Sequence, residues 1–324
     1  MRALLCERLG GPDDLVLAEV PEPEPQAGEV IVGVSAAALN FFDTLIIAGR
    51  YQFKPALPFS PGGECCGRIL ALGAGVEGWQ VGERVAAYTG WGAARERVAV
   101  PALRLARVPD AVTDEQAAGL TITYGTALHA LKDRARVRAG ETLAVLGAAG
   151  GTGLAAVEIG RALGATVIAC ASSPEKLAVA QEHGASLLLD YAAQDLRGGL
   201  KELTGGAGVD VVLDPVGGEL AEPALRAIAW AGRYLVVGFA GGEIPKIALN
   251  LALLKGCDIQ GVFWGAFAER DPQANAANQE WLFARTAEGA LSARVHAEYP
   301  LEQGAEALQV IARREATGKV LLRP

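Results

Sequence analysis

The sequence predicts an α/β protein of two lobes: a strand-rich N-terminal lobe, then a doubly wound parallel sheet of six strands. Three observations predict it. Over residues 140–262 short apolar runs alternate with helical patterns, as strands joined by crossover helices do. Residues 142–153, T-L-A-V-L-G-A-A-G-G-T-G, place an apolar strand, a glycine turn and a helix start in direct succession. Before residue 120 the pattern is mostly short strands and turns.

The 324 residues suit about two domains, each with a core of its own. With 51% hydrophobic and 20% charged residues the composition is apolar but globular. No apolar run approaches the ~20 residues that span a bilayer. The start, M-R-A-L-L-C-E-R, lacks a signal-peptide core, so the expectation is a cytoplasmic protein. A net charge of −8 argues against nucleic acid or an anionic membrane as main partner, since both demand a basic face. Five cysteines without paired spacing make no disulfide framework, and Cys6, Cys170 and Cys257 fall in strand-like runs that belong in a core.

Taken in order, R-A-L-L-C and D-L-V-L-A-E-V read as two strands parted by the turn Gly10-Gly11-Pro12. P-E-P-E-P is an extended connector, because proline fixes φ and keeps its predecessor out of the helical region. Val30, Val32 and Val34 alternate with less apolar neighbours, which marks a strand. N-F-F-D-T-L-I-I-A-G-R-Y reads as a short helix, followed by a proline-rich loop ending P-G-G-E. C-C-G-R-I-L-A-L-G and E-R-V-A-A-Y resume the strands. D-E-Q-A-A-G-L-T-I-T-Y-G-T-A-L-H-A-L is a helical crossing into the second domain, with Asp114 near its start. The strands of that domain are L-A-V-L, T-V-I-A-C, S-L-L-L-D, V-D-V-V-L-D, Y-L-V-V-G-F and D-I-Q-G-V-F. Helices fall at 154–163, from Pro174, around 194–203 and over 219–230. The closing segment reads as a helix over 275–288, a strand near Val295, a helix over 303–314 and the strand K-V-L-L. These readings place domains at 1–122 and 123–262, with 263–324 packing back on the first.

The glycine turn carries the first chemical indication. Missing Cβ atoms at Gly150, Gly151 and Gly153, beside Thr152, let backbone N–H groups at a helix start meet a pyrophosphate. Against G-x-G-x-x-G, Gly150 and Gly153 fill the last two positions and Ala148 replaces the first. Sites for NAD carry an acid at the end of the second strand, about 20 residues past the turn, to hold the ribose 2′-OH. Here that strand ends A-C-A-S-S. Ser172, Ser173 and Lys176 offer hydroxyls and a cation, chemistry suited to the 2′-phosphate of NADPH. Ser173 is a natural N-cap and Pro174 a natural first helical residue. A lysine in that first turn opposes the helix dipole, which points to a ligand; the alternative is a solvated side chain with Glu175 beside it. Tyr191, past the third strand, either flanks the adenosine phosphate or caps a strand.

The two-lobe plan resembles the medium-chain dehydrogenase/reductase superfamily over essentially the whole chain. N-F-F-D-T, P-G-G-E, G-W-Q-V-G-E-R-V, A-A-G-G-T-G and T-G-K-V-L-L are most similar to its zinc-independent NADPH:quinone oxidoreductase (zeta-crystallin-like) branch. The resemblance implies a GroES-like catalytic domain and a Rossmann domain. Zinc-dependent relatives carry a ligand cysteine where this chain has Asn40 and a histidine where it has Gly63, and their four-cysteine lobe is missing. No metal is therefore expected, and Cys65-Cys66 beside Glu64 suits a shared ion poorly because strand neighbours face opposite ways.

The same resemblance implies roles by position. Asn40 and Asp43 come near the nicotinamide, though Asn40 also makes sense as a turn-former between strand and helix. Tyr51 matches a tyrosine that enoyl reductases use as proton donor, or it covers the cleft. Thr126 meets the phosphate on the nicotinamide side. Pro215 and Val216, then Gly238, Phe239 and Ala240, then Phe263, Trp264 and Gly265, follow strand ends and line the nicotinamide ribose or the acceptor cleft. Lys319 reaches the nicotinamide end or only caps the last strand. The expectation is an NADPH-dependent reductase of a small quinone, working as a homodimer paired through the apolar edge G-C-D-I-Q-G-V-F. Rival expectations are an enone or enoyl-thioester reductase and, in another class, a non-catalytic NADPH-binding structural or sensory protein.

Overall fold

The first 110 residues form a succession of short strands, and the closing strand of the chain joins them. The computed structural model describes residues 1–324. In chain order the strands are β1 (Arg2–Leu5), β2 (Val16–Glu19), β3 (Glu29–Leu39), β4 (Glu64–Leu72), β5 (Arg84–Tyr88), β6 (Arg97–Pro101) and β7 (Leu105–Arg107). They continue as β8 (Thr142–Leu146), β9 (Thr166–Ala171), β10 (Leu187–Asp190), β11 (Val209–Asp214), β12 (Ile228–Val236), β13 (Asp258–Gly261), β14 (Val295–Pro300) and β15 (Lys319–Arg323).

The chain divides into two compact units. One comprises Met1–Ile122, Phe267–Gly289 and Ala293–Pro324; the other comprises Thr123–Ala266 and Ala290–Ser292. In the first unit the sheet runs β14-β15-β3-β4-β5-β7, with β6 also on β3. β15 lies antiparallel to β3, with Val320 opposite Leu39, which brings Lys319 beside the end of β3. β3 lies antiparallel to β4, with Ala38 opposite Glu64. Val30, Val32, Leu39, Cys65, Ile69, Val85, Leu308 and Leu322 make the core of this unit.

In the second unit six parallel strands run β10-β9-β8-β11-β12-β13. The order reverses direction at β8, which is the topological switch point where such sheets bind ligands. Leu146, Ile168, Leu189, Val212, Leu225 and Tyr234 are among the buried residues of its core. All five cysteines are free and buried.

The structure departs from the sequence reading in four places. The helix expected over 219–230 ends at Ala227, and Ile228 already pairs in β12 opposite Val209. Within β12, Ala231 has φ +58, where the pairing with β11 shifts register between Val209 and Val211. Y-L-V-V-G-F and D-I-Q-G-V-F leave the sheet earlier than expected, at Val236 and Gly261. Short helices over Asn250–Lys255 and Trp264–Arg270 were not expected, so Trp264 and Gly265 lie in a helix, not at a strand end. The helical crossing is interrupted by π-helical turns at Leu120–Tyr124 and His129–Arg134. Such turns widen the helix locally and are often found at functional sites.

Candidate active site

In the strand-rich unit a buried polar cluster gathers where β3, β4 and β15 meet. Asn40 follows β3 and N-caps the helix Phe41–Ile47. Its backbone N–H donates to Asp43 Oδ2 at 2.7 Å, and Gly62 N–H donates to Asp43 Oδ1 at 2.8 Å. Asp43 is fully buried; burial pushes its carboxyl up to about 7 against those two bonds and the charge of Lys319. Lys319 Nζ donates to Asn40 Oδ1 at 2.6 Å, Glu64 Oε1 at 2.8 Å and Leu39 O at 3.2 Å. Asn40 Nδ2 donates to Glu64 Oε1 at 3.0 Å, and Ile122 N–H donates to Glu64 Oε2 at 2.7 Å. Lys319 and Glu64 are both buried, so this is a paired and hydrogen-bonded interior charge, the form in which such charges persist.

Of the residues singled out in the sequence, Asn40, Asp43 and Lys319 are brought together. Asn40 is both the turn-former and a member of the cluster. The three ammonium protons of Lys319 already face three protein acceptors, and the residue is only 2% exposed. Glu64 was missed as a member of the cluster. Its only local sign was a carboxylate opening a strand that is apolar apart from Arg68. Tyr51 lies in the loop after the Phe41–Ile47 helix, its ring stacked on Phe42 at 5.4 Å between centroids and tilted against Phe53 at 5.9 Å. Burial pushes the Tyr51 phenol up to about 12, so it stays neutral.

In the parallel-sheet unit the glycine turn joins β8 to the helix Gly151–Ala162. Gly150 is the N-cap and no side chain caps that end; its first turn holds no acid. A Cβ on Gly153 would fall 2.1 Å from Gly147 O, so close packing of helix on turn demands glycine there. A Cβ on Gly150 would meet only Gly147 O, at an ordinary 3.5 Å. Nothing within the chain fills the space beside Gly150, so the backbone at the helix start is left open. The turn therefore fits a dinucleotide pyrophosphate, with the N–H groups of Gly151, Thr152 and Gly153 at the positive end of the helix.

Past β9, Ser173 caps the helix Pro174–Glu182, accepting from Lys176 N–H at 3.4 Å. Ser172 is exposed, and Ser173, Lys176 and Tyr191 are half-buried. The Ser173 hydroxyl also holds Glu175 below the usual carboxylate range, so an anionic side chain shares this helix start. Past β11, Pro215 and Val216 begin a loop held by Asp214, which accepts from Val216 N–H and Gly217 N–H, each at 2.8 Å. The loop after β12 is stitched to it: Ala240 N–H donates to Pro215 O at 3.1 Å and Gly241 N–H to Val216 O at 2.6 Å. Gly238 and Phe239 share that loop, with Phe239 partly exposed. Phe263 is exposed, whereas Trp264 is buried. Thr126 is half-buried in the helical turn Gly125–Leu128.

Residues 26–110 match the alcohol dehydrogenase GroES-like domain, and residues 151–279 match the zinc-binding dehydrogenase domain. The chain is 38% identical to the quinone oxidoreductase-like protein 2 homolog of Nematostella vectensis, over 99% of this chain and 88% of that one. It belongs to the quinone oxidoreductase branch of the medium-chain dehydrogenase/reductase superfamily. Among solved structures, the quinone oxidoreductase of Pseudomonas syringae superposes with a TM-score of 0.94 at 32% identity, covering 100% of this chain and 99% of that one. The Escherichia coli quinone oxidoreductase complexed with NADPH also gives 0.94, at 28% identity and with 100% of both chains covered.

As a member of this branch the chain is an oxidoreductase of GroES-like and Rossmann architecture. Zinc does not fit its residues. Asn40 is engaged through its amide with Lys319 and Glu64, Gly63 has no side chain, and Glu64 is committed to an ammonium group. No group of three or more His, Cys, Asp or Glu side chains is placed to hold a metal ion.

Proposed function

We propose that the chain reduces a quinone, or a similar conjugated carbonyl, with NADPH. The observation that carries this reading is the pair formed by an uncapped glycine turn after β8 and a hydroxyl- and lysine-bearing turn after β9. Bound NADPH supplies the hydride. Gly150, Gly151, Thr152 and Gly153 hold the pyrophosphate. Ser172, Ser173 and Lys176 hold the 2′-phosphate, and Tyr191 lies on the adenosine side. Thr126, Pro215, Val216, Gly238, Phe239, Ala240, Phe263, Trp264 and Gly265 bound the nicotinamide ribose and the acceptor. Asn40 and Asp43 shape the nicotinamide end, with Lys319 acting through Asn40 and not on the cofactor directly.

Without a Lewis acid the acceptor must need little activation, which conjugated carbonyls satisfy. A neutral Tyr51 phenol can hydrogen-bond an oxyanion that develops on the acceptor and pass it a proton. That phenol favours a second reading, reduction of enones or enoyl thioesters, because their reduction uses a proton donor more directly than quinone reduction does.

In this reading the enzyme is a cytoplasmic homodimer. β13 is an edge strand of the parallel sheet, Ile259 on it is 40% exposed, and Trp230, Leu249 and Leu253 are each more than 70% exposed in the same unit. Five free cysteines suit a reducing compartment, and no helix is long and apolar enough to cross a membrane. Steady-state NADPH oxidation against a panel of quinones, enones and enoyl thioesters, repeated with NADH, tests the whole reading. Turnover of quinones with NADPH is expected. NADPH binding without turnover of any acceptor would overturn it in favour of a sensory or structural role.

A further inference from the structure

We infer that Lys319 and Glu64 are positioning residues that fix the orientation of the Asn40 amide and leave it one N–H to offer a carbonyl oxygen. The inference rests on the reading above for what is bound, but its geometry lies wholly within one unit. Asn40 Oδ1 accepts from the Lys319 ammonium at 2.6 Å, and Asn40 Nδ2 donates to the Glu64 carboxylate at 3.0 Å. A flipped amide would set its NH2 against the ammonium and its oxygen against the carboxylate. Both contacts would be repulsive, so the pair of charges allows a single orientation.

The rest of the network closes the other options. Lys319 has no fourth proton, and its three are directed at Leu39, Asn40 and Glu64. Glu64 Oε2 is taken by Ile122 N–H at 2.7 Å. The Asn40 backbone N–H goes to Asp43 at 2.7 Å. An amide nitrogen carries two protons, and only one of those on Asn40 is used. The remaining N–H is a donor whose direction has been set before any ligand arrives, the kind of preorganisation that makes a hydrogen bond effective in a site. Its chemistry suits a carbonyl oxygen, either the carboxamide of the nicotinamide or the carbonyl of the acceptor. A lysine and a glutamate 255 residues apart in sequence thus act on the reaction through a third side chain.

The test is a cycle of three variants: Asn40→Ala, the neutral pair Glu64→Gln/Lys319→Met, and all three changes together. The neutral pair removes both charges at once, so neither Lys319 nor Glu64 is left as an unpaired ion, and the protein is expected to stay folded by its thermal melt. If the pair acts through Asn40, the neutral pair and Asn40→Ala each lower kcat/KM about tenfold, and the triple variant is no worse than Asn40→Ala. Multiplying losses would overturn the inference. NADPH titration separates the two carbonyls. A weakened Kd in the neutral pair assigns the N–H to the nicotinamide, and an unchanged Kd with a raised acceptor KM assigns it to the acceptor. A readout independent of turnover is hydrogen exchange of the Asn40 side-chain amide, assigned by NMR from its absence in Asn40→Ala. It should be at least tenfold faster in the neutral pair, and equal exchange in both would overturn the inference. Absence of NADPH oxidation by the wild type would instead count against the proposed function, and leaves the exchange result to decide the positioning role.

Discussion

Glu158, fully buried on the helix that opens at the glycine turn, lies 2.6 Å from His183 Nδ1 through its Oε1. The same carboxylate accepts from Tyr124 Oη at 2.7 Å, from Ser292 N–H at 3.0 Å and from the Ser292 hydroxyl. Ser, His and Glu meet here, yet the serine and the carboxylate both face Nδ1 of the ring, so the three do not form a relay through its two nitrogens. The cluster is a tie: it binds residues 290–292 to the parallel-sheet unit. Glu158→Ala strands several buried donors, and denaturant unfolding should show a loss of about 3 kcal/mol. A loss below ~1 kcal/mol would mean that the carboxylate is not the centre of the tie.

Cofactor choice is set at Lys176 in the proposed reading. Lys176→Ala keeps the Ser173 cap, since that bond uses the backbone N–H of residue 176. Removing the ammonium should weaken NADPH binding about tenfold, ~1.4 kcal/mol, and leave NADH binding unchanged. Parallel titrations with the two nucleotides check it. An equal effect on both would remove Lys176 from the phosphate site.

Tyr51→Phe keeps the ring that stacks on Phe42 and removes only the hydroxyl. Stability should change by less than about 0.5 kcal/mol, as for a side chain with no buried polar partner to lose. Turnover of enones should fall about tenfold or more, with quinone turnover changing far less. Enone turnover that survives undiminished would exclude the phenol as donor.

Asp43 makes stability depend on pH. Its folded-state value of about 7 lies above the ordinary 3.8, so the native state holds a proton that the unfolded chain has released between those values. Its contribution to stability is therefore full below about pH 4 and declines as pH rises toward 7. The integrated difference is of order 4 kcal/mol. Urea unfolding at pH 4 and pH 8 should show the gap between wild type and Asp43→Asn moving in favour of the variant by an amount of that order. A gap that does not move would show that the two backbone N–H bonds keep the carboxylate ionised throughout.

The parts of the fold that were legible in the sequence are those where a local pattern matches its surroundings. β8, the glycine turn and the helix after it read directly, because strand, turn and cap each leave a short-range sign. Ser173 as N-cap read equally well. The end of the 219–230 helix did not: Ile228, Ala229 and Trp230 fit either state locally, and pairing with Val209 decides for strand. The π-helical turns left no sign, since widening one turn changes no residue type. Glu64 and Glu158 were passed over for a related reason. Each is the one acid in a mostly apolar element, and one of its partners, Lys319 or Ser292, is supplied by a segment more than 130 residues away.

Quinones and enones are electrophiles that alkylate exposed thiolates. In this chain Cys65 and Cys170 lie fully covered, with burial pushing each thiol up to about 12, and Cys6, Cys66 and Cys257 are buried and shifted the same way. The folded protein therefore presents no reactive sulfur to the class of molecule it is proposed to reduce. Maleimide labelling of the native chain should be slow at every cysteine and become complete only on unfolding. Sealing these thiols inside the core of each unit would then also protect the enzyme from its proposed substrates.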